Sequence, residues 1–147
     1  MWYNPIIKTL LRSPLHGFVS KNMMLMTYTG RKSGRQYEVP MNYFPIHENG
    51  SEFLATTSKP ERVWWRNLRN GAEVRVLVRG KTYPAYAVAY QAEGEVGEHL
   101  HTLFHQNPGV AKYFDVKVDS LGVPDQDDVA RLAGETVFIR TEFKENS

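Results

Sequence analysis

Residues 27–35 read Thr27–Tyr28–Thr29–Gly30–Arg31–Lys32–Ser33–Gly34–Arg35, and the rest of the chain is organised around them. An apolar run at 23–26 feeds into a tight loop framed by Gly30 and Gly34. Glycines let a backbone turn sharply and expose its N–H groups. Arg31, Lys32 and Arg35 add fixed positive charge, and Thr29 and Ser33 add hydroxyls. These are the parts of a phosphate cradle. They are also the parts of an ordinary basic hairpin turn, since Gly, Ser, Lys and Arg are common in turns.

Working outward, the run at 23–29 is a strand and 37–46 is a second one. Pro40 within the second strand argues for a sheet edge or a bulge, because proline cannot donate to a ladder. Asn49–Gly50 is a hairpin signal that returns the chain as a third strand at 52–57. The basic loop and this turn therefore lie at opposite ends of a meander. Ser58–Lys59–Pro60–Glu61 has the Ser-x-x-Glu capping pattern, which predicts a helix through Trp64, Trp65 and Leu68 ending at Asn70–Gly71. With Lys59, Arg62 and Arg66 near its start, such a helix can hold an anion. The alternative is a solvated basic face over buried tryptophans.

Val74, Val76 and Val78 alternate with Arg75, Leu77 and Arg79, and Gly80–Lys81 turns into a further strand from Tyr83 to Tyr90. Helices are expected at 94–106, 110–114 and 124–132, and a closing strand at 136–143. Asn4–Pro5 begins a helix whose stripe of Ile6, Ile7, Leu10 and Leu11 either packs on the domain or anchors it to a membrane surface, with Trp2, Lys8 and Arg12 beside it. Five or six strands joined mostly by tight turns give a mainly antiparallel sheet. It is expected to close into a small barrel with helices outside.

The chain has 147 residues, no cysteine and a net charge of +2. Absent cysteine excludes disulfides, thiolate nucleophiles and Cys-based zinc sites. No apolar run reaches membrane-spanning length and no secretory signal is evident, so a cytoplasmic, possible membrane-peripheral protein is expected. The charge is uneven. Residues 29–81 hold ten basic and five acidic side chains, whereas 82–147 hold five and eleven. A basic middle predicts an anionic partner, either a small phosphate or a nucleic acid.

Two side-chain groups invite further chemistry. His101 and His105 are four residues apart on a helix, with His99 and Glu98 nearby. Such spacing can chelate a metal, but His99 falls on another face, and a solvated helix face is the expected reading, with no metal. Tyr113, beside Phe114, is either a packing residue or a group at an active site.

The basic loop, the strand with Pro40, the Ala55–Thr56–Thr57–Ser58 junction, the Trp64–Trp65–Arg66–Asn67–Leu68–Arg69–Asn70 segment and the following hairpin occur in an order that resembles one family. It is the deazaflavin (F420)-dependent nitroreductase family of split β-barrel proteins, kin of the pyridoxamine-phosphate oxidases. The resemblance covers residues 10–90. It implies an α+β, FMN-binding-like split barrel of six antiparallel strands in a single domain. Residues 1–22 would be the N-terminal helix, 23–91 the barrel core, 92–133 a helical insertion, and 134–147 the closing strand and tail. It further implies coenzyme F420 as cofactor, with FMN as the alternative. Arg31, Lys32 and Ser33 would face its phosphate, with Arg35 at the loop's exit. Ser58 and Lys59 would lie near the ring or the phosphate, with Trp65 in the helix motif. Tyr113 would be proton donor or substrate gate. The implied activity is hydride transfer to a small electron-poor molecule such as a quinone or nitro compound, by a monomer or homodimer. A non-enzymatic protein binding nucleic acid or a ligand such as haem is the competing reading, although the aromatics are not interleaved with the bases as a stacking platform.

Overall fold

The computed structural model describes residues 23–144. The expected N-terminal helix lies outside the described residues. Seven strands among these form one antiparallel sheet: β1 (Met23–Thr29), β2 (Gln36–Asn42), β3 (Phe44–Glu48), β4 (Ser51–Ser58), β5 (Ala72–Val78), β6 (Lys81–Tyr90) and β7 (Val137–Phe143). A 3-10 helix spans Trp64–Leu68, and three α-helices separate β6 from β7: α1 (Glu93–Gln106), α2 (Pro108–Tyr113) and α3 (Gln126–Ala133).

The strand order is β2-β1-β5-β6-β7-β4-β3. Its two edges, β2 and β3, are separated along the chain by Tyr43 alone. One continuous stretch thus supplies both edges, so the sheet must curl until they meet, giving a split half-barrel. Thr56 on β4 donates to the carbonyl of Asn42 on β2 at 3.2 Å across this junction. The expected count of six strands is corrected to seven. The segment read as one strand at 37–46 breaks at Tyr43, whose ring is buried, and its halves pair with different partners, β1 and β4. Pro40 lies on β2, an edge strand, as its missing donor requires.

Alternation along the strands divides the core in two. Met24, Met26, Leu54, Val74, Val76, Val78, Val137 and Ile139 point into the barrel with Trp65 and Leu68. Phe53, Ala55 and Phe138, one residue out of phase, face outward and are covered by Val96, Leu100, Leu103 and Phe104 of α1 and by Val129 and Leu132 of α3. The side chain of Asp125 caps α3 by accepting from the N–H of Asp128 at 2.9 Å.

The helix expected from Ser58 is the second correction. Ser58 stays in the β4–β7 ladder opposite Val137. Its hydroxyl bonds the carbonyl of Lys59 and caps nothing. Only the five-residue 3-10 helix forms, starting after Val63 with no side-chain cap. Burial of Trp65, whose indole N–H donates to the carbonyl of Pro60 at 3.3 Å, folds residues 60–65 into a turn instead. The helix N-terminus that could have held an anion at Ser58 is therefore not formed, and the alternative reading, exposed Arg62 and Arg66 beside a buried Trp65, is what the structure has.

Candidate functional site

Antiparallel pairing fixes which segments share an end of the barrel. β1 and β4 finish, and β2, β5 and β7 begin, at the same end. The basic loop at 30–35, the linker after Ser58 and the 3-10 helix consequently lie together there, and the Asn49–Gly50 turn lies at the other.

The loop is held by bonds of its own. Gly30 N–H donates to the carbonyl of Arg35 at 2.8 Å, and Gly34 N–H donates to the carbonyl of Gly30 at 2.9 Å. Arg35 N–H donates to Ser33 Oγ at 3.2 Å, and Ser33 Oγ lies 3.1 Å from the hydroxyl of Tyr37. Gly34 takes a φ of +71°, the left-handed region that favours glycine. Among the described residues, one hydrogen bond of the loop reaches outside the hairpin: Arg31 N–H donates to Asn67 Oδ1 on the 3-10 helix at 3.0 Å. Tyr28 lies beneath the loop, its ring 5.7 Å from that of Tyr37 and 6.4 Å from that of Trp64. Burial, aided by the neighbouring Tyr37, pushes the Tyr28 phenol up to about 12, so it is neutral.

Arg31, Lys32, Arg35, Lys59, Arg62, Arg66 and Arg69 are all exposed at this end, and none forms an ion pair among the described residues. The guanidinium carbons of Arg66 and Arg69 sit 5.7 and 5.1 Å from the Trp65 ring centre. Within the loop, the N–H groups of Lys32 and Ser33 have no hydrogen-bond acceptor among the described residues. If Tyr37 and the Arg35 amide donate to Ser33 Oγ, the Ser33 hydroxyl keeps its own proton for an outside acceptor. Two adjacent amides, one hydroxyl and three cations make a donor set matched to a phosphate and to no cation.

Arg31, Lys32, Ser33 and Arg35 thus share one loop, and Lys59 follows β4 at the same end of the barrel. Ser58 sits half-buried at the last rung of β4. Trp65 is wholly buried and holds the 3-10 helix against the sheet. Tyr113 stands apart, 79% exposed at the end of α2, its ring edge-on to Phe114 at 5.3 Å. Phe114 in turn meets Phe44 and Phe104 of the outer core. The rings of His101 and His105 stack 6.5 Å apart, while His99 is sandwiched between Tyr90 and Phe138. A cavity of about 690 Å³ lies between α1 and α3, away from the loop. Glu93 and Glu98 on its rim make it unsuited to an anion. The sequence reading took Asn67 as structural rather than catalytic and passed over Tyr37 as part of the site. Their contribution depends on contacts across the fold, which spacing does not reveal.

A family model described as F420H2-dependent quinone reductase matches residues 13–123, a span that includes the loop, the 3-10 helix and the hairpin after it. The chain belongs to that family. The general stress FMN/FAD binding protein of Xanthomonas citri is 14% identical, with a TM-score of 0.51, over 86% of this chain and 78% of its own. A candidate pyridoxamine 5'-phosphate oxidase of Listeria innocua is 12% identical, with a TM-score of 0.51, over 95% of this chain and 94% of its own. These two likenesses concern the fold. An F420H2-dependent reductase, FDR-A, is 29% identical over 82% of this chain and 94% of its own, with a TM-score of 0.45. No curated protein matches the chain. Membership in an F420H2-dependent quinone reductase family makes this chain an oxidoreductase of the F420-dependent kind. Among the described residues no helix is long and apolar enough to cross a membrane.

Proposed function

We propose that this protein binds reduced coenzyme F420 with the loop at residues 30–35 gripping its phosphate, and reduces a small electron-poor acceptor. A quinone is the first choice and a nitro compound the second. The observation that carries the reading is the loop itself: two amides and three cations that have no partner among the described residues, held in place within the segment the family model covers. When bound, the coenzyme supplies a hydride from its C5 carbon, which with one proton converts a quinone carbonyl pair to a hydroquinone. The chain's own work is to bind, orient and exclude water. Arg31, Lys32 and the amides of Lys32 and Ser33 hold the phosphate, and Arg35 and Lys59 extend the positive field along the anionic tail. Tyr113 is proposed as substrate gate or proton donor. Tyr113→Phe separates the two: a lost donor lowers kcat, whereas an altered gate changes KM.

The direct test is titration of F420 with the protein, read by quenching of the coenzyme's fluorescence, with FMN titrated in parallel. Saturable quenching of F420 at far lower protein concentration than FMN is expected. Preference for FMN would move the protein to the flavin reading, and binding of neither would end both. Quinone turnover is then followed by loss of F420H2 against a nitroaromatic acceptor.

A further inference from the structure

We propose that Asn67 is a positioning residue for the cofactor site. Its carboxamide fixes the backbone of the basic loop so that Arg31, Lys32 and the free amides meet one anionic group together. This rests on the loop reading given above. Asn67 Nδ2 donates to the carbonyl of Trp64 at 3.0 Å, which sets the orientation of the amide. Oδ1 is thereby left to accept from Arg31 N–H at 3.0 Å, thirty-six residues back along the chain. The loop's other hydrogen bonds among the described residues stay inside the β1–β2 hairpin. The tether is firm because its base is firm: Trp65 and Leu68, on either side of Asn67, are wholly buried.

The loop needs such a tether. Arg31, Lys32 and Arg35 repel one another, and Arg66 stands on the same element as Asn67, with Arg69 just past its end. Without an anion present, that repulsion favours an opened loop. A loop already closed by Asn67 gives up less conformational freedom when a phosphate arrives, so the tether appears in affinity rather than in the contacts themselves. Asparagine suits the position better than aspartate. A carboxylate would also accept from Arg31 N–H, but it would lose the donation to Trp64 and set a negative charge beside the anion site.

The test uses Asn67→Ala in the wild-type background and in an Arg31→Ala/Lys32→Ala background. F420 affinity is read by fluorescence quenching, and exchange of the Arg31 amide proton is read by NMR without coenzyme. Asn67→Ala is expected to weaken F420 binding about three- to tenfold in the wild type, the size of one hydrogen bond. It should weaken binding less in the double variant, where only the backbone amides are left to position, and in the wild-type background the Arg31 amide should lose protection. Equal weakening in both backgrounds would show a general structural effect and overturn the proposal. So would unchanged affinity in the wild-type background. If Arg31→Ala/Lys32→Ala alone binds as well as wild type, the loop reading fails and takes the proposal with it. If that double variant binds weakly while Asn67→Ala does not, only the proposal fails. Asn67→Asp covers the case in which the alanine variant does not fold. It should bind F420 more weakly than wild type, and affinity equal to wild type would overturn the proposal.

Discussion

The ring of Tyr37 lies so close to Gly30 that a Cβ on that glycine would fall 2.7 Å from Tyr37 Cε2 and 2.9 Å from Ser33 Oγ. Glycine at 30 is therefore a packing requirement. Gly30→Ala should push Tyr37 and Ser33 apart, lower stability by about 1–3 kcal/mol and weaken F420 binding. Gly34→Ala is the comparison, because its Cβ would meet nothing within 4 Å and only the positive φ opposes it. That change should cost about 1 kcal/mol. Urea unfolding and fluorescence titration of both variants check the contrast.

The exposed cations of the loop and the 3-10 helix, which form no ion pair among the described residues, predict a steep response to salt. F420 dissociation constants should rise severalfold between about 0.05 and 0.5 M ionic strength, as the Debye length shrinks. The slope should flatten in Arg31→Ala/Lys32→Ala. A salt-independent constant would mean that the anion is held elsewhere.

His99 gives a pH dependence to stability. Burial, then the positive charge of Arg140, lowers its pKa below the ordinary 6.5, with Glu48, Glu95 and Glu98 opposing. Its neutral ring stacks on Phe138 at 4.9 Å, 9° from parallel. The unfolded chain binds the proton more readily, so stability is fullest above about pH 6.5 and falls with pH down to the folded-state value. His99→Gln should flatten that slope in denaturation measured from pH 7.5 to 5. Arg140→Gln should raise the His99 value, visible in its imidazole NMR titration.

Among the described residues Trp65 is the largest wholly buried side chain, and its indole N–H is spent on the Pro60 carbonyl. Trp65→Ala should cost about 3–5 kcal/mol. Trp65→Phe, which keeps most of the ring and leaves one carbonyl unpaired, should cost about 1–2 kcal/mol. Because this residue seats the helix that carries Asn67, the phenylalanine variant should also weaken F420 binding. Calorimetry with a coenzyme titration reads both effects.

Sequence alone was enough for whatever local chemistry dictates. Alternation placed Val74, Val76 and Val78 on one face, and they line the barrel. Asn49 and Gly50 take φ values of +53° and +79°, as their hairpin turn demands. Helices near 94–106 and 124–132 followed from the sequence pattern, although Asp125, read as part of the first turn, is the cap that precedes it. The basic loop and its family were legible because glycines and cations stand consecutively. Tertiary structure decided the rest. It split one strand into two at Tyr43, because this barrel closes where a single stretch supplies both edges of the sheet. It overrode the capping pattern at Ser58, because a ladder with β7 and a buried Trp65 outweigh one capping hydrogen bond. It also joined Arg31 to Asn67, a contact between distant residues that no spacing rule encodes, since folding alone brings them within 3.0 Å.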